Sequence, residues 1–385
     1  MRYNIAIIAD IHWDAMEPKK QYAELRFFNE FVSRVSLLDL VVIAGDIFDT
    51  KILLNSQTSL LCIKWMDELV SICKRRNIPI RIIKGTNSHD NNQLDAFDHY
   101  ARDLDFKIFR NCAEEETLPG FDCIYCPDEL MSFPEYLEKY RDIIYSAVHD
   151  AMFFHGSFDV VLPEVSVQES ESEGSMRLVF PYKLFESTCR VMLGGHWHDG
   201  SDAEGDHMYY ARSFSRWSFG EENPKGFIYL NYDTEDHSYL VQRIENPCAD
   251  IYKTYSIFTS EMRKVEDYTP YIKLVEDDLK EQRVKVRIKI IMNDKKESDE
   301  NGIDMMKSYF LNRNRRVKIV VKNNLREKTA KEDAKKTEEI RNRFSFISDR
   351  DKTPSQIIQQ FIYSTKMREI PIDQIDRFIS KYIQK

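Results

Sequence analysis

Five short clusters in this 385-residue chain hold the residue types that bind metal ions. They are Asp10-Ile11-His12, Gly45-Asp46 with Asp49 nearby, Gly85-Thr86-Asn87-Ser88-His89-Asp90, His149-Asp150, and Gly195-His196-Trp197-His198. Residues i and i+2 leaving a strand end can wrap one ion from two directions. Asp-x-His therefore offers a carboxylate and an imidazole to one metal, while His-x-His offers two imidazoles that reach two metals a few Å apart. A single Asp between the ions can bridge them through its two oxygens. Mixed Asp/His/Asn ligation suits Mn, Fe or Zn in a pair about 3.5–4 Å apart. Such a pair generates a hydroxide and stabilises both oxygens of an in-line displacement at phosphorus. His89 is left over and fits a general acid or a transition-state stabiliser.

A lone Asp-x-His means little, and a lone His more often belongs to a core or a surface. Here, however, five of the nine histidines (12, 89, 149, 196 and 198) fall beside Gly, Asp or another ligand type at the end of an expected strand. Open α/β sheets place their ligands at such strand ends. His155 competes with His149 for the fourth position, since it follows a short apolar run and precedes Gly156. His149 is preferred because the run before it, residues 143–148, is longer and richer in β-formers.

The elements that must position these clusters alternate. Residues 3–9, 38–44 and 78–83 read as strands, and 22–35 and 59–75 as helices between them. This rhythm implies a buried sheet with helices on its faces. Residues 121–125, 143–148 and 190–193 read as further strands, with a helix at 133–140. Residues 208–211 and 226–232 suggest a second sheet. The fold class expected is α/β, a two-sheet sandwich over residues 1–245. Composition shifts after that. Residues 284–291 alternate apolar and basic residues, the mark of a half-exposed strand. With a helix at 303–311 and a strand at 317–321, residues 246–325 read as a small α+β domain. Residues 326–350 form a charged linker, and residues 351–385 restore apolar periodicity in a pair of short helices broken at Pro371.

The net charge of −9 argues against a protein that coats nucleic acid through overall positive charge. It does not argue against a nuclease, because a carboxylate and histidine site is negative until cations fill it. The basic runs Lys74-Arg75-Arg76 and Arg313, Arg315, Arg316 read as solvated faces. Seven scattered cysteines, an odd number in a long chain, argue against a disulfide framework and for a reducing compartment. No apolar stretch approaches the roughly 18 residues of a membrane span, and a signal peptide is not expected. Cys123-x-x-Cys126 lacks the second pair of a zinc site and lies in a strand-like run whose thiols need not share a side. Trp13, Phe214, Trp217 and Phe219 are candidates for stacking on bases, with core packing the commoner role. Arg212 and Arg216 are candidates for DNA phosphate contacts, because a guanidinium fork fits phosphate oxygens. The apolar tail suits docking in a partner's groove.

D-x-H, G-D, a G-N-H-D-like element, a single His leaving a strand and G-H-x-H, in that order, resemble the signature of calcineurin-like metallophosphoesterases. The resemblance runs over residues 3–230. Ser218-Phe219-Gly220-Glu221 followed by Lys225-Gly226-Phe227 is similar to the segment after G-H-x-H in SbcD-type double-strand-break-repair nucleases. That resemblance implies two divalent metal ions, most readily Mn2+. Asp10, His12 and His198 would hold one, His149 and His196 the other, Asp46 would bridge them, and His89 would be catalytic. The asparagine ligand of the family falls on Ser88 by register and on Asn87 by chemistry, and a serine there would weaken the second site. The resemblance further implies a DNA exonuclease and endonuclease in end processing, repair or recombination, in the cytoplasm of a bacterium, with phage-type members the closest in length. The later α+β domain would be its cap for placing DNA, the tail would dock on an SbcC-like ATPase, and two nuclease subunits would pair through the apolar helix after the second motif. Two rival readings are an esterase for small phosphodiesters and a non-catalytic scaffold of the same fold.

Overall fold

The computed structural model describes residues 1–161, 178–199, 207–221, 223–292, 297–310 and 314–323. The charged linker and the helical tail expected from the sequence lie outside these residues. The chain divides into two compact units, the first made of Met1–Thr254 with Asp278–Val286 and the second of Tyr255–Asp277 with the chain from Arg287.

The first unit holds two sheets. One is built from β1 (Arg2–Ile8), β2 (Leu40–Ala44), β3 (Ile80–Ile83), β4 (Phe106–Phe109), β12 (Gly226–Asp233) and β13 (Tyr239–Glu245), in the order β13-β12-β1-β2-β3-β4. The other is built from β5 (Ala113–Leu118), β6 (Phe121–Cys126), β7 (His149–His155), β10 (Cys189–Gly195) and β11 (Met208–Tyr210), in the order β11-β10-β7-β6-β5. A two-stranded ribbon joins β8 (Ser157–Phe158) to β9 (Val179–Phe180). Strands β1 to β4 run parallel, as do β6, β7, β10 and β11. Each parallel set therefore collects the C-terminal ends of its strands along one edge.

Alternation along the strands builds the layers. In β1 and β2, Ile5, Ile7, Leu40 and Val42 face the core between the sheets, while Ala6, Ile8, Val41 and Ile43 face a core shared with α1 (Pro18–Arg34) and α2 (Gln57–Arg76). In β6 and β7, Tyr125 and Phe153 face inward, and Ile124 and Phe154 face a third core with α3 (Phe133–Ile144). Cys123 and Cys126 accordingly point to opposite faces and form no shared site. The result is the two-sheet α/β sandwich, with helices on both outer faces.

Local signals set the helix ends. Glu17 accepts from the Lys19 and Lys20 amides ahead of α1, with Pro18 at its first position. Ser56 caps α2, and Asn77 ends it in a left-handed conformation. Ser132 and Glu135 form a capping box that starts α3.

That box explains one correction. Residues 143–148 are not a strand: Ile143 and Ile144 close α3, and the strand begins at His149. The apolar run belongs to a helix whose Tyr136, Tyr140 and Ile144, four residues apart, make its buried face. Beyond the sandwich, β14 (Ile251–Phe258), β15 (Val284–Met292) and β16 (Val317–Asn323) form a three-stranded sheet. The second unit holds residues 269–277 of the helix Thr269–Asp278, and the helix Glu297–Phe310.

Candidate metal centre

The five parallel strands β1, β2, β3, β7 and β10 deliver their C-terminal ends to one place. Three overlapping groups of ligand atoms gather there, each within 4.8 Å of one another: Asp10, His12 and His198; His12, Asp46 and His89; Asp46, His155 and His196. His12 and Asp46 each belong to two groups, so the cluster is continuous.

The backbone is bent to aim these side chains. Asp10, His12, Asp46 and His196 all have positive φ, at 47°, 48°, 50° and 106°. Such conformations cost of order 1–3 kcal/mol each and cluster at functional sites. Asp90 holds part of the turn in place. Its buried carboxylate accepts from the amides of Gly85, Asp46, Ile47 and Phe48, at 2.7–3.3 Å. Burial and the Asp46 charge push the Asp90 carboxyl up to about 6, and the amide donors pull it back. Two glycines are required by close approach. A Cβ on Gly45 would lie 2.2 Å from His155 Nδ1, and one on Gly85 would lie 2.2 Å from Asp46 Oδ1.

The cluster has ligand atoms facing one another at short range. His12 Nε2 and His198 Nε2 are 3.1 Å apart. Asp46 Oδ2 lies 3.8 Å from His12 Nε2 and 3.2 Å from His155 Nε2. His155 Nε2 is fully buried and makes no hydrogen bond. Its other nitrogen, Nδ1, donates to the Ala44 carbonyl at 2.8 Å, which leaves the Nε2 lone pair facing Asp46 and His196. An orphaned buried nitrogen in a mixed N/O donor set is what a divalent cation fills, so the residues fit a pair of metal ions.

Electrostatics point the same way. Burial alone would lower both imidazoles, but the surrounding carboxylates win: His12 is raised, chiefly by Asp49, Asp46 and Asp10, and His155 is raised to about 10 by Asp46. Asp46 is buried, yet His155, His12 and His89 hold it well below the usual carboxylate range. Burial and the neighbouring His12 lower His198 against the pull of Asp10. The cluster thus requires positive charge, which protons or metal ions can supply in competition.

The structure brings together Asp10, His12, Asp46, His89, His196 and His198 as expected. It does not bring His149 to them. In the β7–β10 pairing, His155 lies opposite Gly195 and His149 opposite Cys189. His149 therefore sits at the far end of β7, with Nε2 against the Ile143 carbonyl, and His155 takes the fourth position. Nor do Asn87 and Ser88 reach inward. Both are exposed in the turn between Thr86 and His89. Thr86, directly after Gly85, meets the site instead: its amide and hydroxyl both donate to Asp46 Oδ1, at 2.7 and 2.9 Å.

Arg216 is not placed for phosphate. It is buried, and its guanidinium donates to the carbonyls of Glu221, Asp250 and Asn223. Arg212 is half-buried at φ 67° and stays a candidate. Among the aromatics, Trp13 and Phe214 are core residues, and Phe219 packs on Tyr252. Trp217 lies edge-on to His12 and His198, at 4.8 and 4.9 Å between ring centroids.

The segment after the fifth motif braces the site. Lys225 is fully buried, and its ammonium reaches the His198 carbonyl at 2.7 Å, Asp199 Oδ1 at 2.9 Å and Glu221 Oε2 at 3.1 Å. Ser218 donates to the other oxygen of Glu221 at 2.9 Å, and the Ser213 amide donates to the same His198 carbonyl at 3.2 Å. Neither the place of Thr86 nor the role of Lys225 is legible in the sequence. Gly-Thr gives no ligand signal, and a buried lysine cannot be told from a solvated one by spacing.

Residues 3–200 match the calcineurin-like phosphoesterase family. A comparison with curated proteins finds no match. Among solved structures, the chain aligns over 100% of its length with 73% of a glutamine-dependent NAD+ synthetase from Acinetobacter baumannii in complex with ADP. The identity is 9% and the TM-score 0.32, a likeness too slight to carry an argument. No helix among the described residues is long and apolar enough to cross a membrane.

Proposed function

The chain belongs to the calcineurin-like phosphoesterases, and from that premise we propose that it is a Mn-dependent DNA nuclease. Two divalent ions, when bound, lower the pKa of water and neutralise charge on the oxygens of an in-line displacement at phosphorus. Asp10, His12 and His198 would hold one, and Asp46, His155 and His196 the other; Asp46 also lies within reach of His12. Thr86 fixes the orientation of the Asp46 carboxylate. His89 spends Nδ1–H on the Asp49 carbonyl. Its Nε2 is then the atom that exchanges a proton with the leaving oxygen.

The observation that carries the DNA reading is the brace of Ser218, Glu221 and Lys225 on His198. It is made by the residues that resemble the SbcD-type nucleases, and it lies beyond the family-matched region. The second compact unit supports the reading as well, because an esterase for small phosphodiesters needs no such addition. On this reading Arg212 contacts DNA phosphate, and the apolar C-terminal segment, residues 351–385, docks on an SbcC-like ATPase. Two copies pair through Leu53, Leu54 and Leu60, which are exposed at and before the start of α2.

The test is degradation of end-labelled linear duplex DNA with and without Mn2+, comparing the native chain with His89→Ala. Degradation should require Mn2+ and fall by about 10²–10⁴-fold in the variant. Hydrolysis of a chromogenic phosphodiester with no cutting of DNA, even with an SbcC-like ATPase supplied, would place the chain among small-molecule esterases instead.

A further inference from the structure

A neutral imidazole carries one N–H, and the partner of that nitrogen decides which face of the ring keeps its lone pair. In His12 the lone pair is needed on Nε2, which faces His198 Nε2 at 3.1 Å. The proton must then sit on Nδ1. That nitrogen is buried and makes no well-aligned hydrogen bond, and among the described residues the carboxylate oxygen it meets is Asp49 Oδ1, 3.3 Å away. His89 has the same need, and its Nδ1 meets the backbone carbonyl of the same residue, Asp49.

Asp49 is itself held. Its amide donates to the Trp13 carbonyl at 3.0 Å. Gln93 ties the following loop to His89, accepting from the Ile52 amide at 2.7 Å and donating to the carbonyls of Thr50 and His89 at 3.1 and 2.8 Å. The loop, His12 and His89 thus form one fixed assembly, in which Asp49 touches both rings on the side away from the ligand cluster.

We propose that Asp49 is a positioning residue that sets the tautomer of His12 through its carboxylate. The proposal rests on the two-metal reading of the site. It has a consequence for the balance between the two metals. His155, in the second group, is oriented by a neutral carbonyl, that of Ala44. His12, in the first, is oriented by a carboxylate, which raises imidazole basicity more. The group of Asp10, His12 and His198 is therefore the tighter site. Removing the Asp49 carboxylate weakens that site alone and leaves His89 oriented, because the carbonyl survives any side-chain change.

The experiment is calorimetric titration of the metal-free full-length chain with Mn2+, for the native protein, Asp49→Ala and Asp49→Asn, alongside the Mn2+ dependence of phosphodiester hydrolysis. The native chain should bind two ions unequally. In Asp49→Ala the tighter site should weaken by about 10–100-fold while the weaker one stays put. Asp49→Asn keeps an acceptor oxygen and should fall between. The Mn2+ concentration for half-maximal hydrolysis should rise in the same order, with turnover recovering as Mn2+ is raised. Equal weakening of both sites would mean a general structural role and overturn the proposal. So would native Mn2+ affinity with turnover depressed at every Mn2+ concentration. A native chain that binds no Mn2+ would remove the two-metal reading itself, an outcome visible before any variant is compared.

Discussion

The two ends of β7 present similar residue types to very different surroundings. At its start, His149 and Asp150 sit about 20 Å from His155 at its end, by the rise of an extended strand. Asp150 is saturated. It accepts from the Tyr232 hydroxyl at 2.7 Å, His237 Nδ1 at 3.0 Å and the Asp122 amide at 3.0 Å, and the Arg190 guanidinium lies 3.7 Å away. His149 has a backbone carbonyl against its Nε2. At the other end, His12 Nε2 meets His198 Nε2 at 3.1 Å and His155 Nε2 meets Asp46 Oδ2 at 3.2 Å, ligand atoms turned toward one another. A polar cluster whose groups satisfy one another is a fastening between elements. One whose imidazoles and carboxylates converge on each other offers a set of ligand atoms that suits a cation.

The comparison is broken most decisively by exchanging the two histidines' roles. His155→Ala should remove one bound Mn2+ and abolish measurable phosphodiester hydrolysis, while His149→Ala should keep both ions, as read by calorimetry. Loss of metal in His149→Ala with normal binding in His155→Ala would reverse the assignment. A smaller effect separates fastening from chemistry. Asp150→Ala leaves Tyr232 and His237 without their acceptor and should cost about 1–3 kcal/mol in urea unfolding, with Mn2+ stoichiometry unchanged. A change in stoichiometry there would tie the two ends together.

The smallest effect concerns a buried carboxylate outside both clusters. Glu24, on α1, accepts from Ser215 at 2.5 Å, and burial raises it to about 6 despite Lys20 nearby. The native state therefore binds its proton more tightly than the unfolded chain does. Stability from this group is fully present below the ordinary carboxyl value near 4.5 and is lost as pH rises through about 6. Glu24→Gln should match the native chain at pH 4 and exceed it by about 1–2 kcal/mol at pH 8. An equal difference at both pH values would show that the titration of Glu24 does not contribute.

Much of this was legible in the chain. Asp10, His12, Asp46, His89, His196 and His198 were marked by type and by position just past apolar runs, and the structure gathers all six. The sandwich followed from the rhythm of those runs. Where the reading failed, a local pattern had two structural solutions. Residues 143–148 are apolar enough for a strand, but a capping box eleven residues earlier had started a helix that ran into them. Arg216 has the right chemistry for phosphate, yet the carbonyls of Glu221 and Asn223, on the turn that follows it, and of Asp250, farther along the chain, claim its guanidinium.

By itself, then, the sequence determined the ligand types, their order and the strand ends that carry them, because each depends on neighbours within a few residues. The tertiary structure alone decided that His155 and not His149 faces Asp46, that Thr86 and not Asn87 or Ser88 meets the Asp46 carboxylate, and that Lys225 reaches the His198 carbonyl. Those choices turn on the register of β7 against β10, on how closely Gly45 lets His155 of the other sheet approach, and on how closely Gly85 lets Asp46 approach. These are set by side chains packed between strands far apart in the sequence.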